Sequence, residues 1–396
     1  MKKSLLKPEP HLANEHSDCC SLHCFIPPYV LDELAKSTDP KVRKEIVETI
    51  EETAKARATR SLLAELPVVA ALPSDGTKQR LIYDMKNKPF PLPGVLARAE
   101  NSPMTSDPAV NEAFDNSGIT YDFYKNILNR NSIDDRGMPL ISSVHFGSRF
   151  ENAQWDGRQM MYGDGADRFL RFTRSLEVVA HELTHGVIQH TCNLVYQGQS
   201  GALNEHFADA FGIIIEQWHK NQPVNAPNVD WFIGGEIIQP IANVKGIRTF
   251  TADKAYINNP LFGTDPQPKH MRDIFTGNDD NGGVHFNSGI PNHAFYLIAL
   301  KIGGNIWGTT AKIWYETMKS LHRDSQFQDA AENSYRIAGE LFGQGSNEQL
   351  AVEEGWKGVG IHVASQANVI AKNITAPKPK LPKFFVKWDG LQLNKV

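Results

Sequence analysis

The stretch from Val178 to His190 constrains this chain more than any other, because it places two histidines four residues apart in an apolar helical pattern. Residues at this spacing lie on one face of a helix, so the imidazoles of His181 and His185 project together. Two such imidazoles can supply two ligands of a tetrahedral zinc site and leave other positions open. Glu182 stands beside the first histidine, where a carboxylate can act on a water without being a ligand. The stretch therefore predicts a catalytic metal site.

A site of this kind needs a third protein ligand, and the next helical pattern, from Gly201 to Asp209, supplies a candidate in Glu205. Asp209 follows Glu205 by four residues and so lies on the same helical face. Its carboxylate can accept the free ring N–H of a ligand histidine and so fix the tautomer of that histidine. We therefore expect two histidines and one glutamate as ligands, with an aspartate supporting them.

With Asn204 preceding Glu205, the two segments read H-E-x-x-H followed by N-E-x-x-x-D. From about residue 79 to 361, the chain resembles the thermolysin family of neutral zinc metallopeptidases. The resemblance implies an α+β fold with a β-rich N-terminal lobe, a central helix that carries H-E-x-x-H, and a mainly α-helical C-terminal lobe. It also implies one catalytic Zn²⁺ between the lobes, with Asn204 and Asp209 supporting the ligands.

Two other zinc-peptidase patterns do not match. The metzincin pattern H-E-x-x-H-x-x-G-x-x-H needs glycine and histidine where this sequence has Ile188 and Thr191. A zinc aminopeptidase with a glutamate ligand is expected to carry a G-A-M-E-N string, which does not occur here. We therefore expect an endopeptidase that acts on protein or peptide substrates.

The resemblance also assigns catalytic groups outside the two helices. The segment from Asp279 to Gly289 is similar to the family's N-G-G-V-H-x-N-S-G string. By that resemblance His285 stabilises the transition state, Asp280 orients it, and Tyr196 matches a second donor to the developing oxyanion. Zinc lowers the pKa of a bound water to near 7. Glu182 can then take the proton of that water and pass it to the leaving nitrogen.

Substrate contacts follow from the same resemblance. Asn152 and Ala153 match the strand that pairs with the substrate backbone, and Arg272 matches the arginine that holds a substrate carbonyl. Three apolar residues match the pocket for the residue after the scissile bond, namely Phe169, Phe172 and Val178. The resemblance implies a preference for bulky apolar residues there, although the same side chains would also suit an ordinary core.

A structural calcium cluster of the family is matched only in part. The acidic residues correspond to Glu177, Glu216, Asp230 and Glu236, but Phe232 occupies a position that is expected to be acidic. Calcium prefers six to eight oxygen ligands, so the loss of a carboxylate should weaken or remove one Ca²⁺ ion. We therefore expect a reduced calcium site, and the alternative is a solvated acidic face.

The N-terminal region has the pattern of a precursor. Residues 1–22 are polar and lack periodicity, so we expect a disordered leader. The apolar stretch Phe25–Leu31 is expected to be extended, and Asp39-Pro40 then predicts the start of a helix that continues over residues 41–63. With its Pro-Pro pair, this region looks like the short precursor segment of protealysin-like family members. We therefore expect a propeptide at residues 23–64.

We expect this propeptide to cover the cleft as an intramolecular inhibitor and to be cut near Ser61 to Leu63, where apolar residues suit the expected specificity. One alternative is a permanent N-terminal docking helix, since terminal segments often dock onto a domain. Another alternative is a catalytically silent, metal-bound binding module. The presence of Glu182 and His285 beside the three ligands weighs against it, because a silent module has no need of a water-activating base.

The remaining chain divides into two lobes and a tail. Strand patterns, with one helix from Asp107-Pro108 to about Asn129, indicate an N-terminal lobe over residues 65–193. Helical periodicity indicates a C-terminal lobe over residues 194–361. Residues 362–396 form a basic, proline-containing tail. The strands are expected near residues 80–83, 141–146 and 159–162, and the later helices near residues 202–220, 291–303, 305–321, 326–342 and 346–357.

Composition narrows the partners. A net charge of −4 over 396 residues argues against nucleic acid, and no stretch is as apolar as a membrane span. Lys7 and Pro8 interrupt any secretory signal, whereas the resemblance implies secretion, so unconventional export and cytoplasmic storage both stay open. Cys19, Cys20 and Cys24 match no standard zinc spacing, so we expect reduced thiols. We expect a monomer.

Overall fold

The computed structural model describes residues 23–64, 76–251 and 253–363, with the backbone alone for residues 57–64. Several expectations lie outside these residues: the disordered leader, the thiols of Cys19 and Cys20, the start of the N-terminal lobe, and the tail from residue 364. The side chains at the expected cleavage site near Ser61 lie outside them as well. In the described part, no helix has the length and apolar character needed to cross a membrane.

A mixed sheet forms the base of the N-terminal lobe. Its strands are β1 (His23–Cys24), β2 (Arg80–Asp84), β3 (Val95–Ala99), β4 (Leu140–Val144), β5 (Ala153–Trp155) and β6 (Met160–Tyr162). They lie in the order β1-β5-β6-β4-β2-β3. The pairs β2–β4 and β4–β6 are parallel, whereas β5 is antiparallel to both β6 and β1. Three of the strands confirm the strand predictions, and β1 covers an edge of the sheet that β5 would otherwise form.

Helices make up most of the rest of the described chain, with a short antiparallel pair of strands, β7 (Phe232–Ile233) and β8 (Arg248–Thr249). The predicted helix after Asp107 and the five predicted C-terminal helices are confirmed. The helices are α1 (Pro28–Ala35), α2 (Pro40–Ala64), α3 (Pro108–Leu128), α4 (Leu176–Gln189), α5 (Gly198–Lys220), α6 (Asp279–Asn287), α7 (Gly289–Ile302), α8 (Thr309–Ser320), α9 (Phe327–Phe342) and α10 (Asn347–Gly358).

Helix α4 lies at the centre of the molecule. Ser175 caps it by accepting a hydrogen bond from the backbone N–H of Val178. Every residue from Leu176 to Ile188 is buried, because α4 packs against α3, β5 and α5. A helix with no solvent face holds its side chains in fixed positions, as a catalytic or metal site requires.

The precursor region differs from the prediction in one respect. The expected extended stretch Phe25–Leu31 is extended only as far as Pro27, and α1 begins at Pro28. Proline suits the first helical position, since its fixed φ is helical and no N–H is needed there. Phe25 and Ile26 are fully buried in the same hydrophobic core as α4. The precursor region therefore packs as an integral part of this fold.

Candidate active site

Two imidazoles and one carboxylate converge between α4 and α5. His181, His185 and Glu205 have no exposed surface. The Nε2 atoms of the two histidines lie 3.0 Å apart, and carboxylate oxygens of Glu205 lie 3.6 and 3.5 Å from them. A tetrahedral zinc site with bonds of about 2.0–2.1 Å places its ligand atoms about 3.3 Å apart. The spacing and the donor set therefore fit a single zinc ion.

Each histidine is held through its other ring nitrogen. Nδ1 of His185 lies 2.8 Å from Oδ1 of Asn204, and Nδ1 of His181 lies 2.9 Å from Oδ1 of Asp209. Burial, and then the neighbouring His181, lower the pKa of His185 well below its usual value, so its neutral form is favoured. Both rings thus direct Nε2 toward the position between the three side chains, as metal ligation requires.

Glu182 is fully buried on the same helix, next to the first histidine. Burial and the charge of Glu205 raise the pKa of Glu182 well above its usual range, and the backbone N–H of Trp155 opposes this shift in part. A carboxyl group with a raised pKa can hold a proton and release it again. The position and the environment of Glu182 suit a group that takes and returns protons.

His285 reaches the cluster from the loop in α6. Asp280 to Gly283 all have left-handed backbone conformations, so the regular helix begins only after Gly283. Nδ1 of His285 lies 2.7 Å from Oδ1 of Asp280, and its Nε2 lies 3.6 Å from Oε2 of Glu205. Burial lowers the pKa of His285, but the charges of Asp280 and Glu205 outweigh it and raise that pKa to about 9. A protonated His285 can donate a hydrogen bond through Nε2.

Tyr196 is the second hydrogen-bond donor beside Glu205. Its hydroxyl group donates a hydrogen bond to Oε1 of Glu205 and lies 3.2 Å from Nε2 of His285. Burial and the charge of Glu205 raise the pKa of Tyr196 well above its usual value, so the hydroxyl keeps its proton. The structure therefore brings Tyr196 and His285 together beside Glu205 of the ligand cluster.

The strand expected to pair with substrate is β5, and the N-terminal strand β1 pairs with it. His23 and Cys24 of β1 lie opposite Trp155 and Gln154 in an antiparallel register. The ring of His23 stacks on that of His185, with centroids 4.3 Å apart. The backbone of the N-terminal segment thus passes along β5 and beside the ligand cluster.

The three apolar positions expected to line a pocket, Phe169, Phe172 and Val178, are fully buried in the main core. The Phe25 ring of the precursor meets Phe172 edge to face, with centroids 6.5 Å apart. It meets the ring of His181 in the same way at 5.2 Å. Phe25 of the N-terminal segment therefore fills the space beside the first histidine.

The structure does not bring Arg272 to this cluster, which corrects the expectation that Arg272 holds a substrate carbonyl. Its side chain is 71% exposed and lies near the carboxylate of Asp273. The arginine of the site is Arg248 on β8, which is fully buried and pairs with Asp209 at 2.8 Å. Its Nη1 donates to the carbonyl oxygen of Phe25 at 3.0 Å. Sequence reasoning missed Arg248 because no motif surrounds it.

The expected calcium residues gather at the other end of α4 and α5. Glu177 lies in the first turn of α4, and Glu216 lies near the end of α5. Burial, followed by repulsion from Glu216, raises the pKa of Glu177 well above its usual range, and Asp230 and Glu236 add to this effect. The four carboxyl groups are therefore close enough to repel one another.

A lysine lies among these acids. Nζ of Lys220 is 2.6 Å from Oε1 of Glu216 and 3.1 Å from Oε1 of Glu236. Glu177 instead accepts a hydrogen bond from the backbone N–H of Gly234. Within the described residues, these acids do not form a group with the spacing of metal ligands. An ammonium group thus supplies positive charge where the sequence suggested calcium.

A second group with metal-ligand spacing, Asp84, Asp107 and His145, lies outside the cleft. Both ring nitrogens of His145 are engaged, at 2.8 Å from Oδ2 of Asp107 and 2.8 Å from Oδ2 of Asp164. The hydrogen bond to Asp164 raises the pKa of His145, whereas burial lowers it. The hydrogen bond to Asp107 raises it further, so that the pKa of His145 is about 9. A protonated imidazole has no lone pair for a metal. We therefore interpret this group as an ion-pair network.

Comparison with known proteins agrees with this geometry. The model of the thermolysin metallopeptidase catalytic domain matches residues 74–189, and that of the thermolysin metallopeptidase alpha-helical domain matches residues 192–361. Protease PrtS of Photorhabdus sp. (strain Az29) is 40% identical over 86% of this chain and 93% of the relative. An extracellular metalloprotease of Pectobacterium carotovorum subsp. carotovorum is 42% identical over 74% of this chain and 83% of the relative.

A solved structure is similar over nearly the same length. The precursor of protealysin, a metalloproteinase from Serratia proteamaculans, matches with a TM-score of 0.76 and 38% identity, covering 86% of this chain and 99% of that chain. The two domain models account for both lobes, and the protealysin precursor matches beyond them. This chain therefore belongs to the thermolysin family of metallopeptidases, which are hydrolases.

Proposed function

We propose that this chain is the precursor of a zinc-dependent endopeptidase, with Zn²⁺ held by His181, His185 and Glu205. The observation that carries the proposal is the convergence of these three buried ligands at tetrahedral spacing, with Glu182 beside them on α4. Asn204 and Asp209 fix the rings of the two histidines through Nδ1. Such a site suits hydrolysis, because a position opposite the ligands can admit water and substrate.

When bound, the ion supplies the Lewis acidity that polarises a carbonyl and makes a water a better nucleophile at neutral pH. Glu182 takes the proton of the attacking water and passes it to the leaving nitrogen. His285 and Tyr196 donate hydrogen bonds to the oxygen that becomes negatively charged, and Asp280 orients His285. The assignments of His285 and Tyr196 rest on their contacts with Glu205 and with each other, and that of Asp280 rests on its contact with His285.

Asn152, Ala153 and Arg248 hold the substrate backbone in this proposal. Support comes from the precursor, whose backbone bonds to all three residues. The pocket formed by Phe169, Phe172 and Val178 takes a bulky apolar side chain after the scissile bond. The buried ring of Phe25 beside Phe172 supports a pocket of this size.

The precursor region acts as an intramolecular inhibitor while it lies across the cleft. Its helix α2 docks beside β5, since Thr53 accepts a buried hydrogen bond from Gln154 and Glu45 pairs with Arg149 at 2.6 Å. Removal of residues up to about Ser61 opens the site. Intact mass after incubation, beside a Glu182→Gln chain, tests this: loss of about sixty residues in the unmutated chain alone supports self-processing, and a stable full-length chain supports permanent docking.

Two finer features complete the proposal. At the acidic cluster of Glu177, Glu216, Asp230 and Glu236, Lys220 takes much of the role of calcium, so at most a weak Ca²⁺ site remains there. The mature enzyme acts as a monomer. It acts outside the cell, which is supported by the word extracellular in the name of the Pectobacterium relative. Fractionation of culture medium against cells tests the location.

A casein or peptide cleavage assay, run with and without a zinc chelator, tests the activity. Activity should disappear on chelation and return on addition of Zn²⁺. The Glu182→Gln chain should bind zinc equally well and lose activity by about 10²–10⁴-fold. Activity that is insensitive to chelation would reject the proposal. A processed chain that binds zinc but cleaves nothing would instead support a silent binding module.

A further inference from the structure

The precursor crosses the cleft in a register that singles out one peptide bond, between Cys24 and Phe25. The carbonyl oxygen of Cys24 lies 3.1 Å from Nε2 of His285. That nitrogen is itself 3.6 Å from a carboxylate oxygen of Glu205. The Cys24 carbonyl thus lies beside the ligand cluster, on the donor assigned above to the developing oxyanion.

On the Phe25 side of this bond, the backbone is also held by hydrogen bonds. The N–H of Phe25 donates to the carbonyl oxygen of Ala153 at 3.0 Å, and the N–H of Ile26 donates to Oδ1 of Asn152 at 2.8 Å. The carbonyl oxygen of Phe25 accepts a hydrogen bond from Arg248 at 3.0 Å. Consecutive polar groups of the backbone are therefore engaged, which fixes the plane and the direction of the peptide.

The side chain of Phe25 also suits hydrolysis at this bond. Phe25 places a fully buried ring beside Phe172, in the pocket for the residue after the cut. A proline at position 25 would lack the N–H that bonds to Ala153. In this segment the prolines follow later, at Pro27 and Pro28. The segment is therefore presented in the register and direction of a substrate.

We propose that Cys24–Phe25 is the first bond that this enzyme hydrolyses in its own precursor, within one molecule; this rests on the proposed function. Water adds to the carbonyl carbon of Cys24, the C–N bond breaks, and the nitrogen of Phe25 takes the proton. The products are a carboxylate at Cys24 and an ammonium group at Phe25. Because α1, α2 and the ring of Phe25 stay packed, this cut separates residues 1–24 and leaves the inhibitor docked.

Mass spectrometry of the full chain tests the order of cuts. The chain is prepared free of metal, Zn²⁺ is added, and intact mass is followed with time beside the Glu182→Gln chain. We expect a chain that begins at Phe25 and a fragment of residues 1–24 before any loss of about sixty residues. The fraction cut per unit time should not change over a tenfold dilution. A rate that rises with concentration, or a first cut elsewhere, overturns the proposal.

Variants at Phe25 show whether the register directs this cut. Phe25→Leu keeps the N–H and an apolar side chain, so the cut should persist. Phe25→Pro removes the N–H that binds Ala153, so the cut at this bond should slow by at least about a hundredfold. Equal rates in the two variants would contradict the proposal. Far-ultraviolet circular dichroism serves to confirm that both precursors fold.

A measurement without metal checks the register separately. In the metal-free Glu182→Gln chain, the amides of Phe25 and Ile26 should exchange hydrogen at least about a hundredfold more slowly than the same amides in an unfolded peptide. Unprotected amides would overturn the proposal. Casein cleavage by processed enzyme, with the Cys24–Phe25 bond never cut, would refute this inference alone. The absence of any cleavage would refute the proposed function itself.

Discussion

The two ends of the α4–α5 pair carry carboxylates in contrasting surroundings. At one end Glu205 faces two imidazoles, and at the other Glu177 and Glu216 lie with Lys220. Glu205, Glu177 and Glu216 are all buried. Both ends belong to the same antiparallel pair of helices, in which the start of α4 lies beside the end of α5. The first end provides lone pairs for a cation from outside, whereas the second supplies its own cation.

This contrast shows that clustered carboxylates alone do not make a metal site. The acidic end brings four carboxyl groups together, whereas the three-ligand group contains one, yet at the acidic end the ammonium group of Lys220 lies between Glu216 and Glu236. A metal ion there would have to displace a bonded lysine and overcome its charge. At the ligand end, the supporting side chains orient Nε2 of each histidine and leave its lone pair available.

The same substitution at both ends should separate the two roles most clearly. Glu205→Gln removes a ligand, so zinc content should fall to near zero and casein hydrolysis by more than about 10³-fold. Glu216→Gln makes the same chemical change on the same helix and should retain both properties. Zinc is measured by elemental analysis of purified chains. Full zinc content in the Glu205→Gln chain would break the comparison.

His285→Ala distinguishes transition-state stabilisation from metal binding at the ligand end. Loss of an oxyanion donor costs about 10²–10³-fold in kcat. Zinc content should be unchanged, because His285 contacts Glu205 but does not belong to the three-ligand group. Kinetics of the processed enzyme on a peptide substrate measure the effect. A parallel loss of zinc would show that His285 instead supports the metal.

Lys220→Ala tests the built-in cation at the acidic end. Its removal leaves Glu216 and Glu236 unpaired, so the free energy of unfolding should fall by about 1–2 kcal/mol, after allowance for the partial exposure of Lys220. Millimolar Ca²⁺ should then restore part of the loss in the variant and have little effect on the original chain. Thermal unfolding measures both. Lys312→Ala, on the exposed face of α8, is the control and should change neither.

The smallest effect concerns pH at the third charged group, around His145. The pKa of His145 is raised to about 9 in the folded chain, above its usual value of about 6.5. Its protonated form therefore stabilises the fold fully below about pH 6.5, and this contribution is lost as the pH rises through about 9. The pKa of Lys220 is raised from a higher starting value, so Lys220 keeps its charge over the same range.

Chemical denaturation between pH 6 and 9 measures this loss. His145→Gln should flatten the decline in the free energy of unfolding and leave the contribution of Lys220 in place. An unchanged slope in the variant would mean that other groups cause the decline. The network of His145 with Asp107 and Asp164 would then contribute little to pH dependence.

The local spacing of His181, His185 and Glu205 carried most of the sequence argument, because helical periodicity converts spacing directly into a shared face. The strands and helices of both lobes followed from the same periodicities. Arg248 could not be predicted in this way, since its partners Asp209 and Phe25 are far away in sequence. The resemblance to the family indicated Arg272 instead, because a sequence motif contains no information on the burial of a side chain or on its direction.

The start of α1 was missed for a different reason. An apolar stretch with two prolines fits extended backbone, and the sequence alone does not show which proline begins a helix. The register of Cys24 and Phe25 on β5 could not be predicted from the sequence either. It depends on hydrogen bonds between segments more than a hundred residues apart.

The pairing of β1 with β5 also bears on solubility. Without β1, the three-residue strand β5 would be the terminal strand of the sheet and would present unpaired N–H and C=O groups. Such edges invite pairing with another chain and hence aggregation. While β1 is paired with β5, this edge has a partner within its own chain and the hazard is avoided.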